Sequence, residues 1–219
     1  MSISPSTIAA ADLYGRALEA LEGDDPVLRS ESGAVGALPV RRWLAPVDDA
    51  DATVLDRALG PVLDVGCGPG RHVRALAARG CTALGIDACA VAVEVARRRG
   101  ARVLGGDVFD RVPAAGSWRT VLLLDGSIGI GGRPPALLSR VATLLASRGQ
   151  VLVEVEGEGA RWRRDELRIE LGAECSEWFP WASVPVEAVS VLAEGAGLSL
   201  EETWSAGGRC FARLERSCG

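Results

Sequence analysis

Apolar positions along the chain change their period more than once. Between Thr7 and Leu21, the residues Ala10, Tyr14, Ala17, Leu18 and Leu21 fall on one helical stripe, with Gly23 placed to end it. From Gly23 to Pro46 the stripe gives way to Gly, Pro, Ser and charged residues, which predicts a long connection or mobile cap. Helical character returns from Asp48 to Leu59.

From Pro61 onward, short apolar runs alternate with amphipathic stretches. The runs predict strands at Val62–Val65, Ala83–Ile86, Arg102–Leu104, Thr120–Leu124 and Gln150–Val155. The stretches between predict helices at Arg71–Ala78, Ala90–Arg99, Pro134–Ala146 and Val186–Ala196. Such alternation belongs to a parallel sheet covered by helices on both faces. Two more strands, Leu198–Thr203 and Arg209–Leu214, flank the turn Ser205-Ala206-Gly207-Gly208 and predict a terminal antiparallel hairpin. From Gly157 to Val184 the pattern predicts an irregular stretch carrying an arginine cluster and Trp162, Trp178, Phe179 and Trp181. The expected fold is therefore α/β: a doubly wound seven-stranded sheet, mostly parallel, with an antiparallel C-terminal hairpin.

Composition narrows the function. With 48% hydrophobic and 24% charged residues over 219 positions, the chain is a folded globule able to build one core. A net charge of -5, with acids and bases interspersed, offers no footprint for a polyanion, so nucleic acid is not an expected partner. All basic residues other than His72 are arginine, a coding bias that says little about function. No apolar run approaches the roughly 20 residues that span a bilayer, and the N-terminus lacks a signal-peptide pattern; no membrane partner and a cytoplasmic location are expected. Cys67, Cys81, Cys89, Cys175, Cys210 and Cys218 are scattered without Cys-x-x-Cys spacing, which predicts free thiols and no metal site.

The most specific chemistry lies in Leu63-Asp64-Val65-Gly66-Cys67-Gly68-Pro69-Gly70, an acid at the end of a buried strand followed by three alternating glycines. Glycines there permit unusual dihedrals and let the backbone approach a ligand, at the strand end where open α/β sheets bind. A nicotinamide site would have a third glycine where Arg71 stands, and an apolar residue in place of Asp64.

The segment Asp64 to Gly70 resembles motif I of class I S-adenosylmethionine-dependent methyltransferases, acid-x-Gly-x-Gly-x-Gly, and implies a Rossmann-like fold. Gly85-Ile86-Asp87 is similar to the family's second strand, whose terminal acid takes the ribose hydroxyls, and Gly105-Gly106-Asp107-Val108 to the third, whose acid faces the adenine amine. A carboxylate offers two acceptor oxygens to a vicinal diol, and Asp87 follows Gly70 by seventeen residues. The resemblance implies cofactor contacts from Asp64, Gly66, Cys67, Gly68, Gly70, Asp87, Ala88, Asp107, Val108 and Asp125. It also divides the single domain 1–219 into a helical cap (1–58), a cofactor-binding half (59–156), an insertion or substrate cap (157–184) and a C-terminal helix with hairpin (185–219).

Leu124-Asp125-Gly126-Ser127 resembles the loop that borders donor and acceptor, and differs from the Asn/Asp-Pro-Pro-Tyr sequence of base-modifying members. A small-molecule acceptor follows, methylated on an undetermined O, N, C or S atom, with S-adenosylhomocysteine as product and the protein a monomer or homodimer. Secondary metabolism is one setting for such a reaction. His72, Asp125 and Tyr14 are the candidate catalytic residues. The dipole of the helix that begins at Arg71 predicts a depressed pKa and a neutral imidazole for His72, able to act as a base or else half-buried in the helix. Tyr14 either closes over the cofactor or belongs to the apolar stripe. Asp64 either braces the turn or meets the cofactor's amino group, and Asp125 and Glu154 either orient an acceptor or cap loops. The four aromatic residues of 157–184 line an acceptor pocket, cover the sheet or form a dimer interface. A non-catalytic cofactor-binding partner or sensor is the alternative of the same fold. A thiol or metalloid acceptor is a narrower variant, which requires Cys175 and Cys210 to be close in space.

Overall fold

The computed structural model describes residues 7–20 and 26–216. In chain order the N-terminal part contains β1 (Thr7–Ile8), α1 (Ala10–Glu19), β2 (Val27–Ser30), β3 (Val35–Ala37), α2 (Val40–Leu44) and α3 (Asp49–Leu55). The core follows with β4 (Val62–Val65), α4 (Arg71–Ala78), β5 (Ala83–Asp87), α5 (Ala90–Arg98), β6 (Val103–Gly105), β7 (Trp118–Leu123), a 3-10 stretch Ser127–Gly132, α6 (Pro134–Leu144) and β8 (Leu145–Val155). The remainder is β9 (Arg163–Leu171), β10 (Glu174–Ser176), β11 (Phe179–Ser183), α7 (Val189–Gly195), β12 (Leu198–Ala206) and β13 (Arg209–Arg216).

The main sheet has the order β12-β13-β8-β7-β4-β5-β6. Its pairings are parallel except for β13, which runs antiparallel to both neighbours. Period-two alternation divides the core. Leu63, Val65, Val121, Leu123, Val151 and Val153 pack against Leu137, Val141 and Leu144 of α6 and Val189 and Ala193 of α7. Val62, Leu122, Leu124, Leu152 and Phe211 face Val54 and Leu55 of α3, Val73 and Leu76 of α4 and Ala96 of α5. The hairpin closes on Gly207 and Gly208, both at positive φ (57° and 76°), as a two-residue turn between right-twisted strands requires.

Chain direction reverses beside β4. The strands β4, β5 and β6 step outward on one side, and the chain then returns to β7 on the other. Open α/β sheets bind ligands in the crevice at this switch point, and both the glycine turn after β4 and the loop after β7 open onto it.

Two expectations are corrected. Neither the described part of the region Gly23–Pro46, residues 26–46, nor the stretch Gly157–Val184 is an irregular connection. Their strands join β1 in a second sheet of order β1-β10-β9-β2-β3, with β11 also paired to β9. The pairing escapes a window along the sequence because its faces are charged and its partners remote: Arg29 of β2 holds Glu170 of β9 through two hydrogen bonds of 2.8 and 2.9 Å. The first helix is also shorter than expected. It starts at Ala10 after β1 and ends at Glu19, while Leu21 and Gly23 fall outside the described residues. Leu13, Ala17 and Leu18 of α1 join Leu38, Val40, Ala92 and Ile169 in a third cluster that ties both caps to α5.

Close packing fixes the loop after β7 against the second sheet. A Cβ on Gly129 would lie 2.2 Å from the Ala182 carbonyl oxygen and 2.5 Å from Trp181 Nε1. Gly129→Ala is expected to lower stability by about 1–3 kcal/mol through overpacking. Gly36→Ala, where nothing stands within 4 Å of the added carbon, is expected to be neutral; thermal melts of the two variants check the contrast.

Candidate cofactor site and the ion-pair cluster beside it

The buried strand β4 delivers the chain into the turn Gly66–Gly70. Gly66, Gly68 and Gly70 have φ of 66°, 51° and 76°, in the left-handed region that suits glycine. Gly66 N donates to the Ile86 carbonyl at 2.9 Å, and Gly68 N donates to Asp87 Oδ2 at 2.8 Å. Asp87 Oδ1 accepts from Cys89 N at 2.8 Å, so one carboxylate joins the glycine turn to the start of α5. Burial raises the Asp87 pKa; the amides of Cys89 and Gly68 only partly offset this. The expected pairing of turn and acid is thus present, face to face.

Other cofactor candidates fall around this centre. Cys67 is buried, and its sulfur would lie 2.5 Å from a Cβ on Gly85, so its side chain packs against the sheet and leaves only backbone at the turn. Ala88 is exposed just beyond Asp87. Asp107 is exposed past the end of β6, where its Oδ1 accepts from Phe109 N at 2.9 Å. Val108 is buried, with its carbonyl taken by Arg140 Nε at 2.8 Å.

Helix α1 lies across the turn because Gly15 lets it settle onto Val91 of α5, where a Cβ would come within 2.7 Å. This seats Tyr14 so that its hydroxyl would stand 2.9 Å from a Cβ on Gly68. Both readings of Tyr14 meet here, since it packs with the α1 cluster and also covers the turn. Burial, and then Asp87 and Cys89, hold its phenol well above the ordinary value, so it stays protonated. Trp43 of α2 meets Tyr14 edge to face at 5.8 Å.

His72 is corrected most strongly. It is only 3% exposed, between three acids: Nε2 lies 3.4 Å from Asp51 Oδ1 and 4.0 Å from Asp125 Oδ2, and Nδ1 lies 3.6 Å from Asp64 Oδ2. Burial alone would push the imidazole down and Arg71 pushes the same way, but Asp51 and Asp64 prevail and raise it to about 9. The helix dipole is outweighed by these carboxylates. His72 is a cation at neutral pH, not a neutral base.

Around it extends a cluster that the sequence did not suggest. Asp51 is fully buried and ion-pairs with Arg71 Nη1; its Oδ1 accepts from Arg209 Nη1 at 2.6 Å. Its Oδ2 accepts from Asp48 N at 3.0 Å, half of a capping box that starts α3. Burial would raise the Asp51 carboxyl, but His72, Arg209 and the Asp48 amide hold it well below the usual carboxylate range. Arg71 Nη2 donates to Asp125 Oδ2 at 2.9 Å, Arg209 Nη2 lies 3.3 Å from Asp125 Oδ1, and Arg42 Nη2 lies 3.2 Å from the same oxygen. Arg209 also donates from Nε to Glu154 Oε1 at 2.8 Å. The candidate Asp125 is therefore already engaged by three guanidiniums, and Asp64 and Glu154 belong to the same cluster. A faint signal existed in the sequence: Asp51 is an acid on the apolar face that Ala50, Val54 and Leu55 give α3.

The residues suit S-adenosylmethionine. Among the described residues Trp43 Nε1 is a buried donor without a hydrogen-bond partner, and near it stand the cation Arg42, paired with acids, and the acid Asp64, whose Oδ2 faces His72 at 3.6 Å. An unsatisfied buried donor is costly, and an indole N–H and a guanidinium together with a carboxylate have the chemistry to meet the carboxylate and ammonium of an amino-acid moiety. Cys175 and Cys210, by contrast, stand on different sheets, on β10 and β13.

Comparison with known proteins agrees. A family model described as a methyltransferase domain matches residues 40–203. A SAM-dependent methyltransferase from Bacteroides fragilis, solved with S-adenosyl-L-homocysteine, is 25% identical with a TM-score of 0.81, over 99% of this chain and 100% of that one. The match thus extends through both segments of the second sheet. An amino pentose methyltransferase of calicheamicin biosynthesis from Micromonospora echinaspora, solved with SAM, is 20% identical with a TM-score of 0.57, covering 81% of this chain and 94% of that one. The 1,6-didemethyltoxoflavin-N1-methyltransferase of Burkholderia thailandensis is 15% identical, with a TM-score of 0.59 over 77% of each chain. The glycine turn, the sheet order and the family match lead to one assignment: the chain belongs to the class I S-adenosylmethionine-dependent methyltransferases.

Proposed function

We propose that the protein transfers a methyl group from S-adenosylmethionine to a small-molecule acceptor at the switch point between β4 and β7, in secondary metabolism and in the cytoplasm. The observation that carries the reading is the direct hydrogen bond between the glycine turn and Asp87, with Tyr14 above it and the partnerless Trp43 N–H beside Tyr14. Asp87 takes the ribose, with the backbone of Gly66 to Gly70 and Ala88 beneath it, and Asp107 and the Val108 amide take the adenine. Trp43 and Arg42 face the carboxylate and Asp64 the ammonium. The relatives named above act on an amino pentose and on 1,6-didemethyltoxoflavin, which favours a small acceptor over nucleic acid. Among the described residues no helix is long and apolar enough to cross a membrane.

The bound cofactor supplies an electrophilic methyl on sulfur. The chain supplies position: holding two reactants in near-attack geometry contributes about 7–11 kcal/mol. Helix α1, α2 and the second sheet exclude water from the crevice. Tyr14 stays protonated and does not take a proton.

Titration of the purified protein with S-adenosylmethionine is the test, and no binding at millimolar concentration would remove the reading. Asp87→Ala is expected to weaken binding at least about tenfold, or ~1.4 kcal/mol, without unfolding the chain; unchanged affinity would show that the ribose lies elsewhere. The acceptor is found by screening compounds for a gain of CH2.

A second reading, a cofactor-binding partner without turnover, is favoured by one observation: His72 and Asp125 are both locked in ion pairs. Formation of S-adenosylhomocysteine with any acceptor rules it out.

A further inference from the structure

The glycine turn and the loop after β7 belong to opposite halves of the main sheet, and Arg71 spans the seam between them, from Asp51 to Asp125. Asp125 itself is in the left-handed region at φ 54°. A residue other than glycine persists there only when its surroundings over-determine it. Here the Asp125 amide donates to Glu154 Oε2 at 2.7 Å and the carboxylate meets Arg71, Arg209 and Arg42. Arg209, from the first position of β13, reaches three acids with one planar group: Glu154, Asp51 and Asp125. A rigid guanidinium fork can do this and a single ammonium cannot.

We propose that Arg209 and Asp51 are positioning residues: acting through Arg71 and Glu154, they hold the Asp125 loop against the glycine turn and so shape the end of the pocket that receives the sulfonium and amino acid of S-adenosylmethionine. The inference rests on the reading of this crevice as the cofactor pocket. The nucleoside end is independent of it, because Asp87 and Asp107 hydrogen-bond to the amides of Gly68, Cys89 and Phe109, outside the cluster. The cluster therefore distinguishes the two ends of one ligand.

Calorimetric titration of the full chain with S-adenosylmethionine and with adenosine, which lacks the sulfonium and amino acid, reads this directly. Arg209→Met is expected to weaken S-adenosylmethionine about tenfold or more, a common size for coupling between sites. Adenosine should stay within about twofold, as at sites without shared partners. Arg209→Lys, which keeps the charge and loses the fork, should fall between wild type and Arg209→Met. A folded Arg209→Met that weakens both ligands equally, or neither, overturns the proposal. Should Arg209→Met fail to fold, Asp125→Asn takes its place with the same expected divergence, and an unchanged ratio again overturns it. A wild-type chain that binds neither ligand overturns the cofactor reading itself, so the two failures are distinguishable.

Discussion

Asp51→Ala is expected to destabilise the folded chain by roughly 3–5 kcal/mol, the usual consequence of removing one partner from a buried ion pair. The fully buried carboxylate serves Arg71, Arg209 and His72 together, so its loss leaves several cations short of a counter-charge in a dry site. At about 2–4 °C per kcal/mol for a domain of this size, the melting temperature should fall by roughly 10 °C. Glu202, which pairs with Arg57 at 2.7 Å on the half-exposed surface, is the control: Glu202→Ala should cost no more than about 1 kcal/mol. Chemical unfolding of both variants provides the comparison, and equal losses would mean that the buried cluster contributes no more than a surface pair.

The second large effect is in pH. His72 is raised from 6.5 to about 9 by Asp51 and Asp64 against the opposing influence of burial. A group whose folded pKa exceeds its unfolded one binds more protons in the native state, so stability falls as pH rises. The contribution is complete below about 6.5, declines above it, and is gone once pH passes 9. At about 1.4 kcal/mol per pH unit the rise is worth about 3 kcal/mol. The groups facing the ring are Asp51 from α3, Asp64 from β4, Asp125 from the loop after β7, and Arg71 beside it. Unfolding free energies measured across this window should fall in the wild type and stay flatter in His72→Gln. Parallel curves would mean that the imidazole is neutral in the folded protein.

Legibility in the sequence followed locality. The strands β4 and β5 and the helix α4 were readable because buried parallel strands are unbroken apolar runs and helices keep a 3.6-residue period. The glycine turn and Asp87 were readable because motif and partner lie within one strand-helix-strand unit. The second sheet was not: β9 reads Arg-Arg-Asp-Glu-Leu-Arg-Ile-Glu-Leu, whose charged positions find partners such as Arg29 far away in the chain. The ion-pair cluster was invisible for the same reason. Asp51 stands out only as an acid on an apolar face and Asp125 and Glu154 only as acids at strand ends; nothing in any one window pairs them with Arg42, Arg71 or Arg209, which the switch point alone brings together. The charge of His72 is not legible in its own helix, because a helix dipole is a local rule and the carboxylates that overrule it are not local.

The strand pairing of β2 with β9 has a consequence for how the molecule comes into being. Residues 27–30 find one partner at once in β3 but must wait for residues 167–170 before their other edge is paired, and a link of such sequence separation forms late because the closure entropy precedes the reward. During synthesis the strands that carry the glycine turn are therefore complete before the second sheet can close, and the loop after β7 gains its packing against Trp181 and Ala182 only once β9 and β11 have emerged.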